Sequence, residues 1–188
     1  MNELTLSLLS VDGAILRFFQ EHIRLAWLNP VIKVITTLGD KGGIWLLAGL
    51  ILLFFKQYRK QGLTVILCIA ACFVLNNIII KNLVDRTRPY YIFEWLQPII
   101  ELPDDASFPS GHACASFAGA YALYKGLGKK YWWVYIVAVI IALSRLYVGV
   151  HFPSDVLGGA CVGFFVSMIV YRLREKYIIL PWEREQNE

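Results

Sequence analysis

From Gly62 to Ile80 the chain runs 19 residues without a charged side chain, GLTVILCIAACFVLNNIII. As a helix that run is about 28 Å long, close to the ~30 Å hydrocarbon thickness of a bilayer. Tyr131–Leu143 and Val156–Tyr171 are uncharged as well, and the shorter runs Gly43–Phe55 and His112–Tyr124 extend through weakly polar flanks. Helices of a soluble bundle would each carry a polar stripe, and GIWLLAGLILLFF and YWWVYIVAVIIAL carry none. With 57% hydrophobic and 17% charged residues, the chain is neither disordered nor an ordinary soluble domain. The expected fold is all-α: a polytopic membrane helix bundle of five to six transmembrane helices with an N-terminal amphipathic helix. The 188 residues are read as one domain, with 1–38 interfacial or a first span, a core over 43–177, and a cytoplasmic tail over 178–188.

Basic residues in short loops set the orientation. Lys56, Arg59 and Lys60, then Lys125, Lys129 and Lys130, then Arg172, Arg174 and Lys176 follow alternate spans, so these ends are expected in the cytoplasm. Within Ala14–Leu38 stand Arg17, Glu21, His22, Arg24 and Lys33, with Pro30 among them. That pattern fits an interfacial amphipathic helix followed by a short one, or a sixth, tilted span. It lacks the basic start, clean apolar stretch and small-residue exit of a cleavable signal peptide. The excess of 18 Lys and Arg over 14 Asp and Glu is too mild to indicate nucleic-acid binding. Cys68, Cys72, Cys114 and Cys161 all sit in apolar runs and are expected to be buried, without a disulfide frame or zinc site.

The opposite ends of the spans carry charges that a membrane protein does not place idly. Lys81 directly follows an apolar helix, with Arg86, Arg88 and Pro89 after it. Arg145 follows thirteen apolar residues and Ser144; His151 and Asp155 come next, and Pro109-Ser110-Gly111-His112 opens another span. Singly, each has an ordinary reading: a snorkelling lysine, an edge anchor, a satisfied histidine, a first-turn acid. Together the cations look like a preformed anion site, since an intramembrane arginine needs a partner or a wet cavity. Arginine forks match phosphate oxygens and lysine adds a point charge. A helix beginning at Ser110-Gly111 offers free backbone N–H groups, and Gly111 permits close approach. Lys81 and Arg88, seven apart, are expected on one helix face two turns apart, with Pro89 ending that helix.

Two histidines suggest chemistry: one attacks phosphorus to form a phosphohistidine, the other protonates the leaving oxygen. If Phe152 caps a helix whose first residue is Pro153, Asp155 can reach back and orient His151. His151 is then the nucleophile, His112 the acid and Asp155 the orienting partner, while Lys81, Arg88 and Arg145 hold the transferring group. No cluster of carboxylates suggests a divalent metal, and no cofactor is expected.

KNLVDRTRP (Lys81–Pro89), PSGH (Pro109–His112) and SRLYVGVHFPSD (Ser144–Asp155) resemble, at every specified position and in order, the three signature segments of the type 2 phosphatidic acid phosphatase family. The resemblance implies the helical fold shared with the vanadium haloperoxidases, with Lys81, Arg88, Ser110, Gly111 and Arg145 binding phosphate. It also implies His112 as general acid, His151 as nucleophile and Asp155 as its partner. Arg86 lies outside the signature and is expected to add to the field or meet a headgroup. The substrate is then a membrane lipid phosphate. By analogy with the family's bacterial members it is undecaprenyl diphosphate, or alternatively phosphatidylglycerophosphate or phosphatidic acid. A lipid phosphotransferase and a non-catalytic lipid-binding or transport protein are the readings from other classes. The loop 90–108 combines aromatics with Glu94, Glu101, Asp104 and Asp105 and reads as an interfacial lid or as an ordinary surface loop. The sequence carries no reading of oligomeric state.

The charge pattern places the signature end outside the cytoplasm. Single cysteines introduced over residues 90–108 should react with an impermeant thiol reagent added to intact cells, and those over 125–130 only after permeabilisation. The reverse pattern would put the site on the cytoplasmic face.

Overall fold

Helix α7 (Gly111–Leu127) runs through the middle of the bundle, and its composition explains why. Ala113, Cys114, Ser116, Ala118, Gly119, Ala120 and Ala122 are buried, a row of small side chains against which neighbouring helices close tightly. The computed structural model describes residues 3–178, so all but the first residue of the expected tail 178–188 lies outside the described residues. Around α7 stand α3 (Gly43–Phe54), α4 (Arg59–Cys72), α8 (Val134–Tyr147) and α9 (Pro153–Tyr177). Lipid tails are as apolar as leucine, so association here comes from close packing and buried hydrogen bonds rather than from expulsion of water. Trp45 Nε1 donates to Ser116 Oγ at 3.1 Å, fastening α3 to α7. On α9, a β-carbon on Gly163 would stand 2.1 Å from the Cys114 carbonyl oxygen, and one on Gly159 2.3 Å from that of Ser110. This glycine pair therefore sets how the N-terminal ends of α7 and α9 meet.

Among the described residues three segments are long and apolar enough to cross a membrane: Lys56–Ile92 (37 residues), Lys129–Tyr147 (19) and Pro153–Tyr177 (25). Ala26–Leu38 and Asp40–Phe54, bent by 49° at Gly39, make a fourth if they act as one broken span. Helix α7, at 17 residues, is the central member. Large side chains such as Leu50, Phe54, Ile78, Ile140, Leu157, Phe165 and Ile169 point outward, as a lipid-facing surface requires. The chain is a multi-pass membrane protein. Helix α1 (Glu3–Phe18) begins earlier than the charge pattern indicated and is held at the site end of α9, where Asp12 Oδ1 accepts from the Ser154 N–H at 2.9 Å.

Three expectations are corrected. Lys81 and Arg88 do not share a helix: α5 (Lys81–Val84) continues α4 through a π-helical stretch (Phe73–Ile80), then Asp85 adopts φ 43° and the chain extends. Pro89 opens the short α6 (Pro89–Ile92) instead of ending a helix, with Arg88 as its extended N-cap; proline's fixed φ suits a first helical turn. Cys161 is exposed on the outer face of α9, whereas Cys68, Cys72 and Cys114 are buried. An apolar run looks the same whether a given side chain meets protein or lipid.

Replacing Gly163 by Val should cost about 1–3 kcal/mol by overpacking, read as a lower thermal midpoint in detergent. Cys161→Val, on the exposed face, should change stability by less than about 0.5 kcal/mol. Equal midpoints would show that α7 and α9 do not depend on that close approach.

Candidate active site

The turns that end the bundle on one side bring the three signature segments together. Lys81, Arg88, Gly111, His112, Arg145 and His151 line one cavity of about 420 Å³, joined by Asn77, Asp40, Lys41 and Asp105. Ser110 and Asp155 lie behind this wall. Ser110 is the N-cap of α7, its Oγ 3.5 Å from the Ala113 N–H, and its own N–H donates to the Asp155 carbonyl at 3.0 Å. The π-helical stretch carries two polar residues at its centre. Asn76 is buried and donates to the Pro109 carbonyl at 3.3 Å, while Asn77 lines the cavity.

The cations are buried, and each has partners. Arg88 Nη1 donates to the Val150 carbonyl at 2.8 Å and stands 3.4 Å from His151 Nε2, while Nε donates to the Asp105 carbonyl at 2.8 Å. Arg145 Nη1 donates to Thr36 Oγ1 at 2.6 Å, leaving its Nε without a partner among the described residues. Asp105, half-exposed, pairs with both Lys81 and Arg88. Burial pushes its carboxyl up, but hydrogen bonds and charge from Lys81 and Arg88 outweigh this and hold it below the usual carboxylate range. The loop 90–108 is thus fastened at the site through Asp105. Tyr90 helps by donating to the Pro103 carbonyl at 2.6 Å, and Leu96 is buried beside Leu16 and Leu146.

Phe152 caps α9 and Pro153 is its first residue, so Asp155 falls in the first turn. Its Oδ2 accepts the Phe152 N–H at 2.8 Å and the Ser107 hydroxyl, and stands 3.4 Å from His151 Nδ1. A carboxylate there favours the tautomer with hydrogen on Nδ1, freeing the Nε2 lone pair toward the cavity. Burial drives the His151 ring toward its neutral form, to about 3, helped by Arg88 and Arg145 and opposed by Asp155. Arg86 takes partners within the protein. Its Nη1 donates to Asp155 Oδ1 at 2.7 Å and Ser154 Oγ at 2.6 Å, its Nη2 to Asp12 Oδ2 at 2.8 Å, and its guanidinium lies 4.1 Å from the Phe152 ring centre. Across the cavity, His112 Nε2 lies 2.9 Å from Asp40 Oδ1 and 3.1 Å from the Thr36 carbonyl.

Sequence reasoning did not place Asp12, Thr36, Asp40 or Asp105 in the site, although it named Asp105 in the loop. Asp105 carried a faint signal, an acidic pair just ahead of the PSGH segment; the other three carried none that was local. Among the described residues no three His, Cys, Asp or Glu side chains are grouped to hold a metal ion.

A neutral imidazole facing three buried cations, at the end of a lipid-embedded bundle, suits a phosphate carried on a membrane lipid, and the class of protein this defines is a membrane-embedded lipid phosphatase. Its residues 61–179 match the PAP2 superfamily, and the chain belongs to that superfamily. It is 32% identical over 147 residues to an undecaprenyl-diphosphatase of Sulfolobus acidocaldarius, covering 78% of this chain and 70% of the relative. It is 36% identical over 167 residues to phosphatidylglycerophosphatase B of Bacillus subtilis, covering 82% and 79%. The crystal structure of a transmembrane PAP2 type phosphatidylglycerolphosphate phosphatase from Bacillus subtilis matches at a TM-score of 0.72 and 33% identity, over 91% of this chain and 88% of that one. A bacterial vanadium-dependent iodoperoxidase, at 19% identity and a TM-score of 0.60 over 73% of this chain and 42% of that one, shares the fold.

Because the folded protein holds His151 neutral, its contribution to stability is complete above the unfolded value near 6.5 and falls away as pH drops from there toward about 3, where the unfolded chain alone takes up the proton. The thermal midpoint of the wild type should therefore fall more steeply between pH 7 and pH 4.5 than that of His151→Gln. Parallel curves would show that the ring is not held neutral.

Proposed function

We propose that the protein hydrolyses a lipid phosphate through a phosphohistidine on His151, on the extracytoplasmic face of the cell membrane and without a metal ion. The observation that carries this is the single cavity lined by His151, Lys81, Arg88 and Arg145, with His112 lining it as well. An incoming phosphoryl group displaces the Asp105 carboxylate from Lys81 and Arg88 and takes its place, adding the unpaired Nε of Arg145 and the N–H end of α7. His151 Nε2 attacks phosphorus in line with the leaving oxygen, and Asp155, held by Arg86, Ser107 and the Phe152 N–H, compensates the charge that grows on the ring. His112 gives a proton to the leaving oxygen, and water then cleaves the phosphorus–nitrogen bond. Ser110 acts by capping α7 and so aiming Gly111 and His112.

The substrate we favour is undecaprenyl diphosphate. The likeness to the archaeal undecaprenyl-diphosphatase supports it, as does Lys41, a fourth cation on the cavity wall suited to a second phosphate. Phosphatidylglycerophosphate is the second reading, supported by the likeness to the Bacillus phosphatase.

Purified protein in detergent with EDTA should release phosphate from undecaprenyl diphosphate faster than from phosphatidylglycerophosphate, phosphatidic acid or diacylglycerol diphosphate. His151→Ala should lower that rate by at least ~10⁴-fold, the scale on which a covalent nucleophile acts, while inorganic phosphate still binds. Near-normal turnover by the variant, or activity that requires added magnesium, would overturn the mechanism. No phosphate release without an acceptor, with the phosphoryl group appearing on an added acceptor alcohol, would make the enzyme a transferase.

A further inference from the structure

The cavity is faced by two imidazole–carboxylate pairs, and only the one made by His151 and Asp155 belongs to the signature. The other joins His112 to Asp40, at the elbow between α2 (Asn29–Leu38) and α3. Here Lys41 at φ 51° and Gly42 at φ 75° turn the chain sharply. The elbow is built against the His112 ring: a β-carbon on Gly39 would stand 2.9 Å from His112 Cδ2 and 2.5 Å from Ile141. Two oxygens of this short segment converge on one ring nitrogen, Asp40 Oδ1 at 2.9 Å and the Thr36 carbonyl at 3.1 Å. Thr36 also accepts from Arg145 Nη1 through its hydroxyl, so one residue sets the positions of the acid and of an anion-binding guanidinium.

Resting on the reading of His112 as the general acid, we infer that Asp40 is its positioning residue, holding Nε2–H together with the Thr36 carbonyl so that Nδ1 delivers the proton. As the bond between His151 Nε2 and phosphorus forms, the bond from phosphorus to the leaving oxygen breaks and takes its electron pair to that oxygen. The Nδ1 proton follows, leaving a neutral ring still donating from Nε2. In the second half, water gives a proton to Nδ1 as its oxygen bonds phosphorus and the phosphorus–nitrogen bond breaks, which restores the imidazolium. The two carboxylates differ as these tasks require. Asp155 is fully buried, beside a ring that must stay neutral until it attacks; the Asp40 side chain is 58% exposed, beside a ring that gains and loses a proton in each cycle.

Leaving-group dependence isolates this role, because an aryl oxide departs without a proton and an alkoxide does not. For Asp40→Asn, kcat/KM toward a medium-chain alkyl phosphate should fall roughly 10–100-fold, part of the 10²–10⁴ that general-acid catalysis supplies. Toward p-nitrophenyl phosphate it should fall less than about threefold, and the inhibition constant of inorganic phosphate should move less than about twofold, because the change leaves the hydrogen-bond partners of Lys81, Arg88 and Arg145 in place. Asp40→Glu should restore part of the alkyl activity, and Asp40→Asn should add no further loss in a His112→Asn background. If His112→Asn is selective for the alkyl ester while Asp40→Asn hits both esters equally, weakens phosphate binding, or has no effect, the assignment of Asp40 is overturned and that of His112 stands. If His112→Asn itself shows no selectivity, the reading of His112 falls, and the inference with it.

Discussion

Three buried cations, Lys81, Arg88 and Arg145, organise everything at the active end of this bundle. A charge withdrawn from water costs several kcal/mol unless partners replace its hydration. The partners here are not drawn from one helix. Asp105 comes from the long loop, Thr36 from the elbow before α3, and the Val150 carbonyl from the turn before α9. Compensating the cations therefore ties together the segments whose separation would dismantle the site. The tie is incomplete by design of the geometry: Arg145 Nε has no partner among the described residues, and Asp105 is half-exposed. What remains is a cationic pocket held in shape, with one half-exposed carboxylate paired to two of its cations.

The helices can deliver these groups with accuracy because they touch through small residues. Gly159 and Gly163 let α9 lie against the backbone of α7 at Ser110 and Cys114, so the start of the helix bearing His112 and the start of the helix bearing Asp155 are placed by one contact. In a bilayer, where apolar side chains gain little by leaving lipid, such close backbone approach is a principal source of helix association. The Ser110 N–H to Asp155 carbonyl bond joins the same two ends.

The two chemically identical rings differ in their surroundings. His151 is fully enclosed, near Arg88, with its carboxylate shared among a guanidinium, a hydroxyl and a backbone N–H; its environment favours the neutral ring. His112 faces the Asp40 carboxylate, whose side chain is largely exposed. The partly exposed Arg86 and the buried Asp12 stand behind the first pair as a support that also anchors α1, so the N-terminal helix is part of the frame of the site rather than a loose membrane anchor.

Much of this was legible in order along the chain. The uncharged runs dictate membrane helices whatever their arrangement, because a run of nineteen apolar or neutral residues has nowhere else to go. The spacing from Phe152 through Pro153 to Asp155 dictates a helix start that puts a carboxylate beside His151, since capping is local. The signature segments likewise name Lys81, Arg88, His112, Arg145 and His151 through short-range pattern. The support of those residues was not legible. Thr36 meets Arg145 across 109 positions, Asp12 meets Arg86 across 74, and Asp40 and Asp105 reach the cavity from turns with no periodic signal. Even Lys81 and Arg88, read as one helical face, reach the same carboxylate from a helix and from the extended segment that follows Asp85. Sequence by itself determined which groups carry charge and which long apolar runs are helical. Tertiary structure alone decided which of those charges neutralise one another, because that depends on distances through space, which chain order does not encode.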